Sequence, residues 1–190
     1  MVLDEVAFYI CIMFMSLRIL VGLFLVILFT QFQIEWRLLE VNIPITGQSL
    51  AVLLVSYVLG LKEGFITILL YLLIGLLGIP VFADGGSGLA AFTGNSGGYL
   101  IGFLFGAFLS GYGSDKFRNT FLNSFLAMLF GTFLILLFGV LKLSIDIGIS
   151  KALIYGFNPF ILGGIVKIVI GAAMAWLIKK YVMVKDFSSL

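Results

Sequence analysis

Histidine is absent from this sequence of 190 residues. That absence removes imidazole metal ligands, His general bases and Ser–His nucleophilic pairs together. Cysteine occurs once, as Cys11, so no internal disulfide and no CxxC metal or redox pair can form. No GxxxxGK[ST] segment is present, so the chain carries no phosphate loop with which to hydrolyse ATP by itself. Charged residues make up 11% of the chain, and a net charge of +2 gives no reason to expect nucleic acid as a partner. Asp4 and Glu5 precede the first apolar run, where a signal peptide would carry positive charge. What remains is apolar: 62% hydrophobic residues and a mean hydropathy of +1.25. That balance marks an integral membrane protein, and the expected fold is all-α.

Apolar runs divided by turns predict six transmembrane helices in one domain covering 1–190, without repeats or linkers. The first run, 5–31, is longer than the roughly 20 residues a span requires. Either the helix begins near Val6 and Arg18 is intramembrane, or the span is about 17–33 and Arg18 reaches a water interface. The second reading is favoured and makes 1–15 an extra N-terminal segment, with Met15 an alternative start. Glu35, Trp36, Arg37 and Glu40 mark the first connection, with Trp36 an interface anchor, and Pro44 fixes a turn. The further runs are 48–59, 64–77, 97–112, 118–141 and 159–181. A tight turn at 60–64 separates the second from the third. Gly98, Gly102, Gly106 and Ser110 form a small-residue face on the fourth, suited to close helix packing within the chain or against a partner. Residues 142–158 read as a partly buried connection. Asn158 reads as the cap of the last helix, with Pro159 at its first position; the tail from Tyr181 is short and polar. With both termini cytoplasmic, Lys62, Lys116, Arg118, Lys179, Lys180 and Lys185 lie inside, against Arg37, Lys142 and Lys151 outside, as the positive-inside bias prefers.

The chain is organised around residues 78–99, GIPVFADGGSGLAAFTGNSGGY, of which seven are Gly. Each Gly costs about 1 kcal/mol in a helix interior relative to Ala, so this stretch predicts irregular backbone beside the membrane. Such backbone survives at depth only if buried in protein or lining a cavity. Two readings stand: a re-entrant loop between helices 3 and 4 that closes over a small solute, or an external loop. Asp84, Ser87, Thr93, Asn95, Ser96 and Tyr99 supply polar groups. Val81, Phe82, Ala90, Ala91 and Phe92 favour packing, and hence the first. Gln48, at the mouth of the second run, is either a helix-start residue or a ligand contact.

Lys167 lies inside the sixth run, in NPFILGGIVKIVIGA, about 12 Å along the helix from Pro159. A charge at the bilayer centre costs at least about 2.5 kcal/mol. No carboxylate lies within a turn on the same helix, so Lys167 reads as a clamp for an anion or carbonyl of a bound solute. The plainer reading is a lysine that snorkels or satisfies a loop carbonyl.

Five segments, IPITGQSL, LGLKEG, LLYLLIGLLGIPVFADGGSG, AFTGNSGGYLIGF and PFILGGIVKIVI, occur in this order between about residues 43 and 175. Together they resemble the BioY family of biotin transporters, substrate-binding S-components of energy-coupling factor (ECF) transporters. The resemblance implies six helices, a biotin pocket on the outer side, and a cytoplasmic module of two ATPase subunits and one transmembrane T-component. It implies a transporter subunit rather than an enzyme, in a prokaryotic plasma membrane, with biotin as cargo and no cofactor or metal. The site residues it suggests are Lys167 as the clamp, and the backbone of Gly85, Gly86 and Gly88 with the side chain of Ser87 as loop contacts. Gln48, Asn95 and Tyr99 are further polar contacts, and Phe82 and Phe92 apolar walls. In the family the last helix opens with a P-G-D-x-x-K-like element. Here Lys167 stands at the Lys, Gly164 at the Asp and Leu162 at the Pro. Gly164 motivates the alternative ligand, a related small carboxylate such as lipoate. The region LRILVGLFLVIL of the first helix has Gly22 alone as a small residue, where such S-components carry an Ala-x-x-x-Ala patch for the T-component.

Overall fold

The computed structural model describes residues 2–38 and 41–183. Met1, Glu40, Lys185 and the rest of the tail after Met183 lie outside the described residues, as does the side chain of Trp36. Helix α1 (Val2–Thr30) is followed by strands β1 (Gln33–Leu38) and β2 (Val41–Thr46), then by α2 (Gln48–Leu76). A 3₁₀ turn (Ala83–Gly85) and the short α3 (Gly88–Thr93) precede α4 (Gly97–Lys116). Helices α5 (Phe121–Ile147), α6 (Ile149–Gly156) and α7 (Asn158–Ile178) complete the order, with a terminal π turn (Lys179–Met183).

Helix α2 is two rods. Gly60 has φ 82° and ψ −178°, a conformation close to glycine-only, and there the chain reverses. A Cβ on Gly64 would lie 2.6 Å from the Cα of Ser56, eight residues back, where a straight helix would set them about 12 Å apart. The turn expected at 60–64 is therefore present. Asp115, at the end of α4, accepts from the Leu61 N–H at 2.9 Å and so supplies the cap for the second arm. The bundle thus has six long rods: α1, the α2 arms 48–59 and 61–76, α4, α5 and α7. Ile12–Thr30, Gln48–Leu76 and Phe121–Ile147 are long and apolar enough to cross a bilayer.

Glycine sets the packing. Gly98, Gly102 and Gly106 of α4 meet the backbone or side chains of Phe138, Ile135 and Gly131 on α5. Farther down the same face, Ser110 donates to the Leu53 carbonyl at 2.9 Å, and Ser114 donates to that of Tyr57. The small-residue face therefore packs within the chain. The core runs from Val26 and Val52 through Tyr57, Ile68 and Tyr71 to Ala107 and Ala172. Large apolar side chains such as Phe24, Phe105, Phe130, Phe133 and Val166 are exposed around the outside, the girdle a bilayer covers.

Several elements differ from what the sequence predicts. The helical bundle carries one element that the sequence did not announce: β1 and β2 pair antiparallel from Gln33 opposite Thr46 to Leu38 opposite Val41. Ile34, Trp36, Val41, Ile43, Ile45 and Thr46 favour extended backbone, and Pro44 sits within β2 instead of forming a turn. Residues 142–147 finish α5 and 149–156 form α6, so the partly buried connection expected over 142–158 is helical, with Ala152 and Gly156 buried. The cap of α7 is Phe157, and Asn158 is already helical. The Gly-rich stretch contains helix: α3 lies inside it, and Gly97, Gly98 and Tyr99 open α4. Leu89, Ala90, Ala91 and Phe92 lie between the glycines and make that single turn and a half. Helix α1 is unbroken from Val2 to Thr30.

Candidate functional site

Beneath the Gly-rich stretch, at the end of the bundle where α2 begins, lies a cavity of about 180 Å³ in which a water molecule's centre fits. That is room for roughly a dozen waters. It is bounded by the first turn of α2, by Ala83 and Asp84, by α4 from Ser96 to Phe103, by α5 from Met128 to Leu136, and by α7 from Pro159 to Ile168. Its walls are mainly apolar, with a few polar groups converging, as small-solute sites generally are.

Lys167 is half-buried in this cavity. Its ammonium donates to Ser49 Oγ at 3.3 Å. Among the described residues no carboxylate lies within ion-pair distance of it. Ser49 stands in the first turn of α2, whose leading backbone N–H groups lack intrahelical acceptors. The positive end of that helix therefore adds to the field of Lys167, favouring an anion between them.

Gln48 is buried and lines the same cavity. Its Nε2 donates to the Tyr71 hydroxyl at 2.7 Å, and Tyr71 in turn donates to the Val81 carbonyl at 3.0 Å. Thr30 Oγ1 lies 3.2 Å from the same hydroxyl. Tyr71 thereby ties α1, both arms of α2 and the start of the Gly-rich stretch together. Gln48 therefore brings an amide to the cavity wall, with one N–H bonded to Tyr71 and Oε1 an acceptor.

The sequence-derived residues separate into two groups. Gln48, Tyr99, Gly164 and Lys167 line the cavity. Tyr99 does so with its ring: its hydroxyl donates to the Gly156 carbonyl at 2.7 Å, and the ring lies 5.7 Å from that of Phe160. Gly164 leaves open space, since a Cβ there would meet only Thr132 Cγ2, at 3.9 Å. The remaining residues do not line it. Phe82 is buried in a notch at Gly75, edge-on to Tyr71 and Phe92 with centroids at 5.4 and 5.8 Å. This aromatic cluster anchors the stretch to α2. Gly85, Gly86 and Ser87 form the turn above it, where Phe82 N–H donates to the Gly86 carbonyl at 3.1 Å, and Asn95 is exposed. Ser49, Thr132, Phe160 and Asp84 line the cavity and were not singled out as site residues. Ser49 adjoins Gln48, and Asp84 is the single carboxylate of the Gly-rich stretch, so both left a trace in the sequence. Thr132, within a uniformly apolar run, left none.

An apolar-girdled helical bundle with a solute-sized cavity at one end, and a cation inside it, belongs to the class of membrane transport proteins. Residues 11–183 match the BioY family, and the chain belongs to it. The chain is 42% identical over 125 residues to the probable biotin transporter BioY of Pyrococcus horikoshii, covering 66% of this chain and 74% of that protein. It is 40% identical over 130 residues to the biotin transporter BioY2 of Lactococcus lactis subsp. cremoris, covering 67% and 71%. The crystal structure of the S-component for biotin from an ECF-type ABC transporter superposes with a TM-score of 0.71 at 28% identity, covering 87% of this chain and 89% of that one. The lipoate alternative finds no support among these relatives, which are named for biotin.

Proposed function

We propose that this protein is the substrate-binding membrane subunit of an ECF-type uptake transporter, taking biotin from the outer side and delivering it towards the cytoplasm. The observation that carries the reading is Lys167, an ammonium set in a largely apolar cavity with a serine hydroxyl and a helix start beside it and, among the described residues, no carboxylate within ion-pair distance. Biotin brings what this site lacks: a carboxylate for the cation, an apolar bicycle and chain for the walls, and a ureido group for acceptors such as Gln48 Oε1.

Six rods crossing the membrane, with the Gly-rich stretch entering it from the outer side, fit this reading. So do both termini on the cytoplasmic side of a prokaryotic plasma membrane. Arg18, Lys62, Lys116, Arg118, Lys179 and Lys180 gather at the end opposite the cavity, the positive-inside arrangement. A T-component and two ATPase subunits supply the energy, since this chain has no phosphate loop. Lid motion of the Gly-rich stretch gates entry.

Isothermal titration of the detergent-purified protein with biotin tests the reading. A saturable signal at micromolar biotin or below is expected; no heat and no displacement of labelled biotin would overturn it.

A further inference from the structure

A second cavity, of about 340 Å³ measured as the space open to a water molecule's centre, lies on the flank of the bundle. It is a groove between one face of α1, with Leu17, Val21 and Leu25, and one face of the first arm of α2, with Ala51, Leu54 and Val58. Each set recurs every three or four residues, so both walls run along their helices. Ile178 of α7 and Val182 of the π turn add to the lining. Leu17, Val21, Leu25 and Val182 are exposed, so the groove opens sideways into the girdle that a bilayer covers. Among the described residues that line it, Arg18 is the only polar one.

From Arg18 to Phe29 the groove follows α1 for about 16 Å. That is close to the depth of one leaflet's hydrocarbon, half of a core roughly 30 Å thick. Spread over that length, the volume is a slot roughly 5 Å across for the centre of a water-sized sphere. A helix about 10 Å wide cannot enter such a slot, whereas an extended hydrocarbon chain can. Gly22, the small residue of this α1 face, is spent within the chain: a Cβ there would lie 2.8 Å from Leu59 Cδ1 and 2.9 Å from Val55 Cγ1. It therefore offers no close-packing patch to a partner helix. Arg18 stands at the end away from the biotin cavity, NH1 3.7 Å from Glu63 Oε1 and its side chain 40% exposed. A guanidinium presents five N–H donors in a planar fork, so one arginine can serve a carboxylate and a phosphate together. Lys180 and Tyr181, exposed between Ile178 and Val182, put a second cation and an aromatic ring at the same end. Such residues gather at the headgroup level of a membrane.

We infer that this groove is a binding site for one phospholipid, its acyl chain laid between α1 and α2 and its phosphate on Arg18. The lipid comes from the leaflet on the side away from the biotin cavity. Length, width and the placement of the one cation all match a chain with an anionic head at a single end. A chain held there supplies contacts that α1 and α2 leave unmade and fastens α1 to the bundle. The inference goes beyond the transport reading and does not depend on it.

Native mass spectrometry of the full chain, purified in a mild detergent and titrated with dioleoylphosphatidylglycerol, counts the lipid retained. One lipid per protein is expected to persist on the unsubstituted chain. Val21→Trp, which puts an indole into the groove, is expected to abolish that retention, and Arg18→Gln to weaken it by about tenfold. Cooperative melting of the same samples shows that each variant is folded, and Leu25→Trp replaces Val21→Trp if the latter is not. Glycerophosphoglycerol, the headgroup without chains, and oleate, a chain without the phosphate, separate the two contacts. Neither is expected to displace the lipid at equal concentration. No retained lipid, equal retention by the folded tryptophan variant, undiminished affinity of Arg18→Gln, or displacement by either fragment overturns the assignment.

Discussion

The ammonium of Lys167 on α7 reaches Ser49 Oγ on α2 at 3.3 Å, across the cavity wall and 118 positions back along the chain. This contact is the weaker partner a lysine accepts when no carboxylate is at hand, and a ligand anion would displace it. Lys167→Met keeps length and apolar character but removes the donor. It is expected to cost about 1.5–3 kcal/mol of biotin binding, the scale of a hydrogen bond to a charged group. The melting temperature should hold or rise, since a partly desolvated charge is gone. Affinity and melting are measured on one sample; near-normal affinity with lowered stability would make Lys167 a structural prop.

Gly164 is a void in the wall with ordinary helix geometry. Gly164→Leu should fill cavity space while gaining roughly 0.5–1 kcal/mol of helix propensity. The expected signature is loss of biotin binding with an equal or higher melting temperature. Retained affinity would show that the ligand does not pass this point of α7.

Gly60 carries the reversal of α2, and a Cβ there would strike the Asp115 carboxylate. Gly60→Ala combines backbone strain with displacement of the cap on Leu61, a cost of about 1–3 kcal/mol. Thermal unfolding in a fixed detergent should show a clear drop in midpoint, while protein that stays folded binds as before. An unchanged midpoint would mean the turn relaxes without Asp115.

Arg18 NH1 lies 3.7 Å from Glu63 Oε1, in the turn that joins the arms of α2. The pair sets Arg18 level with that turn, at the end away from the cavity. In a background without Cys11, a cysteine at position 18 should react with a membrane-impermeant thiol reagent applied from the cytoplasmic side. Protection from both sides would place position 18 within the bilayer.

Much of this was legible where the sequence breaks its own monotony. The polar cluster Lys62–Glu63 between two glycines marked the reversal of α2, because nothing else interrupts that apolar run. Lys167 was legible for the same reason. The β hairpin was not: its strands lie in a short connection whose Glu35, Arg37 and Asn42 read as a loop, and only pairing with each other makes them extended. Tyr99 and Phe82 were legible as packed or polar, but not their neighbours. The partner of Tyr99 is a carbonyl 57 positions away on α6, and Phe82 fills a notch made by Gly75. Such contacts belong to tertiary packing, which no local period encodes.

The β1–β2 hairpin bears on how this protein is watched in solution. The chain has two tryptophans. Trp36 stands in β1, whereas Trp176 sits near the far end of α7, where its carbonyl accepts from Asn119 and its ring faces Phe121. Trp176→Phe would leave Trp36 as the single indole of the chain, so that the indole emission of that variant comes from the hairpin alone.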